Sequence, residues 1–227
     1  VLDVAERQAL VRGMFVTVQL ALLTIAGSLA AGVALAAALT SGRAWLARPA
    51  RACVEVTRNT PTLVQLYCAF LVLNMLITQQ LRDWGAGNNP LTPFVWVVIV
   101  VSLHKGVFHA EALRAGIEAV PTVTLEAASS LAFSRRQQLL QVQLPLAVRF
   151  ALPALVNNLI DLVKMTAVAS AIAVNDITYA SIMIWTQGDN VIELMILILA
   201  FFGLLSFAVN CAGRALEARL RMPGYGH

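Results

Sequence analysis

The sequence predicts an all-α membrane protein with five transmembrane helices. Hydrophobic residues make up 59% of the 227 residues. Charged residues make up only 12%, about half of the roughly 25% found in soluble domains. So few charges cannot cover a globule of this size, and the mean hydropathy of +0.77 indicates that lipid surrounds the chain. A transmembrane barrel is excluded because its strands alternate over about ten residues, whereas the apolar runs here are long and unbroken.

Five segments are long enough to cross the ~30 Å hydrocarbon core, which takes about 20 helical residues. In the second segment, Thr60 is predicted to cap the helix, with Pro61 in its first position. The third has only 14 apolar residues and is extended, so that its second half leaves the bilayer or faces other helices. The predicted spans are residues 14–39, 60–81, 90–117, 150–174 and 194–213.

Lysine and arginine are distributed unevenly between the two sides of the membrane. With five spans, the segments after spans one, three and five share one side. These segments contain twelve basic residues: Arg43, Arg48, Arg51, Arg58, Lys105, Arg114, Arg135, Arg136, Arg149, Arg214, Arg219 and Arg221. The opposite side has three: Arg7, Arg12 and Arg82. The positive-inside rule therefore predicts an external N-terminus and a cytoplasmic C-terminus. The net charge of +4 reflects loop charge and does not indicate a nucleic-acid partner.

The cytoplasmic connection at about residues 118–149 is patterned, unlike a simple loop. Pro121 is predicted to end the third helix, and a short helical piece follows over residues 125–131. Residues 134–137 match a capping box, with the serine as cap, and a second short helix is predicted to stop before residues 144–145, Leu-Pro. Two short helices with apolar faces at a membrane surface indicate either a docking partner or a hairpin lying on lipid.

Four motifs along the chain resemble those of ABC importer permeases. Residues 126–128 read E-A-A, followed by Ala132 and by Leu-Pro at 144–145, which resembles the EAA motif of that family. Three further segments resemble motifs of its polar amino acid subfamily: 58–65 resembles R-G-T-P-x-L-V-Q, 111–121 resembles E-x-x-R-G-G-I-x-x-V-P, and 157–166 resembles N-x-x-I-x-L-L-K-D-T. The resemblance covers nearly the whole chain, from about residue 12 to 220.

The chain departs from the family pattern at several positions. Ala132 replaces the glycine of the EAA motif, and if this turn needs a positive φ, alanine is disfavoured by ~1 kcal/mol. Asn59 replaces the glycine of R-G-T-P, and residues 122–124 replace a common K-G-Q. Met165 stands where many relatives carry a polar or acidic residue, a change that bears on substrate.

The resemblance implies the permease subunit of an ATP-driven importer in the bacterial inner membrane, with its N-terminus periplasmic. Its cargo would be a polar amino acid or an amino acid derivative. The implied partners are ABC ATPase subunits that hold ATP and Mg, a second permease subunit (a copy or a sister chain), a periplasmic amino acid-binding protein and the lipid bilayer. This chain has no G-x-x-x-x-G-K phosphate loop, so no cofactor and no catalytic residue are expected on it.

In the family, the EAA element is a coupling helix that sits in a cleft of the ATPase. By resemblance, it would transmit motion from the ATPase to spans three and four. Small alanines allow close backbone approach, the glutamate can pair with a cation, and leucines can fill an apolar cleft. The expected coupling residues are Leu125, Glu126, Ala127, Ala128, Leu131, Ala132, Ser134, Leu144 and Pro145.

Span four contains a polar run that indicates a wet face. Asp161 and Lys164 lie three residues apart and share one helical face. Charges in a span are costly and face a bundle interior or a cavity. They either neutralise each other structurally or meet the amine and carboxylate of an amino acid. The candidate pathway residues are Asn157, Asn158, Asp161, Lys164, Met165 and Thr166.

Other groups of residues say less about function. His104 and His109 have only a loose metal spacing without an evident third ligand, so no metal site is predicted. Lys105 is expected to snorkel to the headgroups or to pair with an acid of a partner subunit. The alternative function is a passive channel or secondary transporter, although no inverted repeat is found. An intramembrane enzyme is disfavoured because no G-x-S-x-G or H-E-x-x-H motif is present.

Overall fold

The computed structural model describes residues 3–84, 89–188 and 190–220, and within these ranges the chain contains helices and no strand. The helices are α1 Val4–Thr40, α2 Ala44–Arg58, α3 Thr62–Asp83, α4 Pro93–Glu118, α5 Thr122–Ser130, α6 Arg135–Ile172, α7 Ile177–Trp185 and α8 Val191–Leu220. Helices α1, α3, α4, α6 and α8 are long and apolar enough to cross a membrane. The predicted fold class, all-α with five spanning helices, is confirmed.

Some helices begin at other residues than the predicted spans, because local capping sets their first residue. Helix α1 begins ten residues before the predicted start, because Asp3 and Glu6 form a capping box at its N-terminus. The prediction that Thr60 caps the second span is wrong: Pro61 is the N-cap of α3, and the Thr60 hydroxyl donates back to the Val56 carbonyl at 2.7 Å. Sequence reasoning did not predict α2 or α7.

The prediction that the second short helix stops before Leu144-Pro145 is wrong. Helix α6 runs through this point, with a wide π-type turn at Gln138–Gln143 in which the Leu144 N–H donates to the Leu139 carbonyl, five residues back. A regular helix would bring the Pro145 ring against the carbonyl four residues earlier, and the wide turn absorbs that clash. The second half of the predicted coupling loop, from Arg135, and span four are therefore one continuous helical element.

Helix α4 lies at the centre of the core. Its Trp96, Val97 and Val101 pack with Leu20 of α1 and Leu162 of α6. Lipid gives little hydrophobic drive between helices, so close backbone packing has to hold α1 against α4. A Cβ on Gly106 would lie 2.6 Å from the Ala31 Cβ, which shows how near the two backbones are.

In contrast to α4, helix α8 is exposed along most of its length. Leu199 and Leu204 are 75% and 70% exposed, as expected of a helix that faces lipid. Between α6 and α8, the short α7 is docked on α1, because the Ile177 N–H donates to the Thr17 hydroxyl at 3.1 Å. Asp176 caps α7 by accepting from the Tyr179 N–H at 2.9 Å, and burial raises the pKa of its carboxyl to about 6.

Candidate functional site

The turn between α5 and α6 is closed by a Schellman motif. The Phe133 N–H donates to the Ala128 carbonyl at 3.1 Å, and the Ala132 N–H donates to the Ser129 carbonyl at 3.0 Å. Ala132 has a φ of +60°, in the left-handed region. The structure thus meets the condition under which the sequence predicts alanine to be disfavoured at the motif's glycine position.

We expect Ala132→Gly to stabilise the protein by about 0.5–1 kcal/mol. Alanine at positive φ costs about 1–2 kcal/mol, and the greater freedom of glycine in the unfolded chain offsets about 0.5–1 kcal/mol of the gain. Thermal unfolding in detergent measures the effect. Ala127→Gly, one turn earlier in α5, is the matched control and should cost about 1 kcal/mol. Destabilisation by both variants would contradict a strained turn.

The start of α6 confirms the predicted capping box. The Gln137 N–H donates to the Ser134 hydroxyl at 3.3 Å, and the Ser134 N–H donates to the Gln137 side-chain oxygen at 2.8 Å. The Gln138 amide then donates to the Ser129 hydroxyl and to the Phe133 carbonyl, at 2.9 and 3.0 Å. These bonds tie α5 to α6, and residues 122–143 form a unit that we call the α5–α6 hairpin.

In the α5–α6 hairpin, the exposed surface of α5 and of the tip is partly apolar and carries one carboxylate. Glu126 and Ala127 are exposed on α5, as coupling residues would be. Leu131 is 73% exposed at the tip. Val123, which sequence reasoning did not select, is 70% exposed on the same helix. Its signal was weak, because a single valine in a polar stretch has no distinctive spacing.

The remaining predicted coupling residues have other surroundings. Ala128 is buried, so it lets α5 pack closely against its own chain and does not offer a surface to a partner. Leu125 and Leu144 are half-buried, and Pro145 is exposed beside the wide turn of α6. The predicted set therefore divides into surface residues and residues that hold the hairpin in shape.

Two of the family-like segments meet at an ion pair. The Arg58 guanidinium, at the end of α2, donates to a Glu111 carboxylate oxygen of α4 at 2.7 Å. One turn further along α4, Arg114 pairs with Glu118 at 2.6 Å. These groups line an open cavity of about 690 Å³ between the end of α1, α2 and α4. Sequence reasoning found both segments but not their contact.

A second network joins the start of α3 to α4. The Gln65 amide donates to the Thr60 hydroxyl at 2.6 Å and to the Thr57 carbonyl at 3.0 Å. The Gln65 oxygen lies 3.2 Å from Nδ1 of His104, whose Nε2 lies 3.0 Å from the Thr62 hydroxyl. His104 therefore has a structural role. Among the described residues, no group of three His, Cys, Asp or Glu could hold a metal ion.

The charges of α4 and α6 form a connected group. Lys105 is 4% exposed, its ammonium is paired with Asp161, and it lies 5.1 Å from the centre of the Phe108 ring. The Lys164 ammonium lies 3.8 Å from the other Asp161 oxygen. The expectation that Lys105 snorkels or pairs with a partner subunit is wrong, because its acid comes from the same chain. Asp161 thus lies between two cations.

Three of the predicted pathway residues share an open face of α6. Asn157, Asp161 and Lys164 are exposed and follow one another at spacings of four and three residues, which places them in one stripe along the helix. The side chains of Asp161 and Lys164 are 56% and 57% exposed. We call these three residues the polar stripe of α6.

The other three predicted pathway residues lie beside the stripe or behind it. Asn158 and Met165 are partly buried, and the Thr62 hydroxyl lies 3.7 Å from the Met165 sulfur, within hydrogen-bond reach. Thr166 is fully buried, and its hydroxyl donates to the Val163 carbonyl at 2.7 Å. Thr166 therefore supports the helix backbone where α6 tightens.

Comparison with known proteins identifies the family. A family model described as "binding-protein-dependent transport system inner membrane component" matches residues 20–222. The chain belongs to this family. The permease is 34% identical to the glutamate transport system permease protein GluC of Corynebacterium efficiens, over 86% of this chain and 84% of that protein. It is 28% identical to the probable glutamine ABC transporter permease protein GlnM of Bacillus subtilis, over 92% and 91% of the two chains.

Solved structures agree with this assignment. The permease matches a chain from a crystal structure of an amino acid ABC transporter with histidines, with a TM-score of 0.79, 27% identity, and coverage of 96% of this chain and 99% of the other. It also shares its fold with a chain of the inward-facing MetNI methionine ABC transporter, with a TM-score of 0.75. Family membership decides against a passive channel and a secondary transporter.

Proposed function

We propose that this permease imports a polar amino acid, driven by ATP that separate subunits hydrolyse. The observation that carries the proposal is the α5–α6 hairpin. It presents an exposed glutamate and exposed apolar side chains on a unit that is held by its own hydrogen bonds. It also lies between two spanning helices, which is where a coupling element has to be.

In this proposal, α5 docks in a cleft of an ATPase subunit, which holds the ATP and Mg. Val123 and Leu131 fill the apolar part of the cleft, and Glu126 pairs with a cation of the ATPase. When the ATPase closes, it moves α5. Because α6 runs without a break from Arg135 to Ile172, the displacement reaches the membrane interior.

The polar stripe of α6 supports a substrate pathway between two permease subunits. Charged side chains avoid lipid and face a cavity or another helix, so this exposed face points to a second permease subunit, a copy or a sister chain. The carboxylate of Asp161 and the ammonium of Lys164 are the counter-charges that the amine and carboxylate of an amino acid need. The glutamate and glutamine names of the relatives fit the same chemistry.

The proposed orientation of the chain agrees with import. The excess of basic residues in the segments after spans one, three and five supports a cytoplasmic location for the α5–α6 hairpin, on the side of the ATPase. The N-terminus is then periplasmic and the C-terminus cytoplasmic. A periplasmic binding protein would deliver the amino acid at the outer mouth of the pathway.

We expect Glu126→Lys to reduce ATPase recovery about tenfold when the permease is pulled down from membranes. Reversing a charge that faces a cation replaces attraction by repulsion, and a tenfold loss corresponds to about 1.4 kcal/mol. ATP hydrolysis stimulated by an amino acid-loaded binding protein should fall with it. Glu217→Lys, the same change in α8 outside the hairpin, is the control and should behave as wild type.

Either of two results would contradict the proposal. In the first, the wild-type permease is purified alone in mild detergent, without an ATPase. In the second, Glu126→Lys retains both the ATPase and its stimulated hydrolysis. If the ATPase is recovered, stimulation by a panel of polar amino acids then identifies the substrate.

A further inference from the structure

Helix α2 has three distinct faces, although it is too short and too charged to cross a membrane. Ala47, Ala50 and Val54 are buried against the rest of the protein. Apart from Leu46 and Thr57, which are partly buried, the side chains outside this buried face are exposed. At about 100° per residue, they form an apolar flank that points away from the buried face and a basic flank that lies between the two on one side of the helix.

The apolar flank consists of exposed side chains. Trp45 is 70% exposed and Val56 is 64% exposed. Pro49, Ala52 and Cys53 continue the same flank and are also exposed. The spacings of four, three and four residues from Trp45 to Val56 form one continuous stripe along 15 helical residues.

The basic flank runs parallel to the apolar one. It contains Arg48, Arg51 and Arg58, with Glu55 as its one acid. Arg58 is engaged with Glu111. Within the ranges that the structure describes, Arg48 and Arg51 have no hydrogen bond and no ion pair, and both are exposed. Two guanidinium groups are thus available to an anion.

The position of α2 in the chain places it at a membrane surface. It starts four residues after α1 ends at Thr40, and four residues after its own end the spanning α3 begins at Thr62. Both neighbours are candidate spans. A helix connected so tightly at both ends cannot move far from the bilayer surface. An exposed apolar flank that begins with a tryptophan suits the interface.

We infer that α2 lies in the plane of the cytoplasmic membrane surface and binds acidic phospholipid headgroups. The apolar flank enters the boundary between headgroups and acyl chains. Arg48 and Arg51 contact phosphate groups at the negatively charged surface. Charge complementarity favours an acidic lipid over a neutral one. The inference rests on the inward orientation in the proposed function, but its test needs neither substrate nor ATPase.

Cys53 provides a native probe of the apolar flank. In the full chain, Cys68→Ser and Cys211→Ser leave it as the single thiol, and a nitroxide label there reports collisions with oxygen and with the water-soluble complex NiEDDA. In nanodiscs, we expect the label to collide more often with oxygen than with NiEDDA. Glu55→Cys, with Cys53→Ser, places the label on the basic flank of the same helix and should reverse that preference.

The dependence of the Cys53 label on lipid composition tests whether the arginines bind acidic headgroups. Raising phosphatidylglycerol from zero to about 30% in phosphatidylcholine should immobilise the Cys53 label and deepen its position. Arg48→Gln with Arg51→Gln should weaken the affinity for the acidic surface by roughly fivefold per arginine, so that little of this change remains at about 30% phosphatidylglycerol. Lysine at both positions keeps the charge and should keep the response.

Three results would overturn the inference. Preferential collision of the Cys53 label with NiEDDA would show that the flank faces water. Protection from both reagents would show that a protein subunit covers it. An identical response to phosphatidylglycerol in wild type and in the glutamine double variant would show that the arginines do not bind acidic lipid. Failure of the transport experiment leaves each of these readings unchanged.

Discussion

Replacing Asp161 by asparagine is expected to destabilise the permease by about 3 kcal/mol. The variant keeps the shape of the side chain but leaves the ammonium of Lys105, 4% exposed, without its counter-charge. Breaking a buried pair from one side costs about 3–5 kcal/mol. The lower end applies, because the Asp161 side chain is itself 56% exposed and water weakens the attraction. Thermal or denaturant unfolding in detergent measures the loss.

The reverse change should be much milder. Lys105→Met removes the buried charge itself, and Asp161 retains both water and Lys164 at 3.8 Å, so a cost of about 1 kcal/mol or less is expected. The double variant should be more stable than Asp161→Asn alone, because no unpaired cation remains. Equal costs for the two single variants, with additive behaviour in the double, would show that the pair does not stabilise the fold.

Gly116→Val is expected to destabilise the packing of α4 against α6 by about 3 kcal/mol or more. A Cβ at Gly116 would press into the Ala147 carbonyl oxygen and lie 2.9 Å from the Ala151 Cβ and 3.1 Å from the Ala151 nitrogen. Most of these contacts are to the backbone of α6, so no side-chain rotation relieves them. The two helices would have to separate. Expression in membranes and the unfolding midpoint in detergent measure the effect.

Gly203 offers a matched control in α8. No heavy atom lies within 4 Å of a Cβ built there, and Gly203→Ala should be neutral or stabilising by up to about 1 kcal/mol through helix propensity. A loss at Gly203 comparable to that at Gly116 would mean that helix composition, and not the approach of α6, limits stability.

The sequence alone determined that this protein is surrounded by lipid, that it is helical, and to which family it belongs. These properties depend on composition and on local order: long charge-free runs require lipid, and motifs such as E-A-A or R-N-T-P are contiguous. The capping box at Ser134 was predictable for the same reason, since its donor and acceptor lie three residues apart. The sequence also indicated that Ala132 could have a positive φ, because the family motif has a glycine at this position.

Only the tertiary structure decided which groups meet. Lys105 and Asp161 are 56 residues apart in the chain, and Arg58 and Glu111 are 53 apart; nothing in either local pattern specifies its partner. The burial of Ala128 and the exposure of Asn157 likewise depend on which face of a helix its neighbours cover. Helix α6 continues through Pro145 by means of a wide turn, and no residue type in the sequence predicts that turn. Packing between helices is a non-local property, and for this reason the polar stripe and the free flanks of α2 became visible only when the helices were assembled.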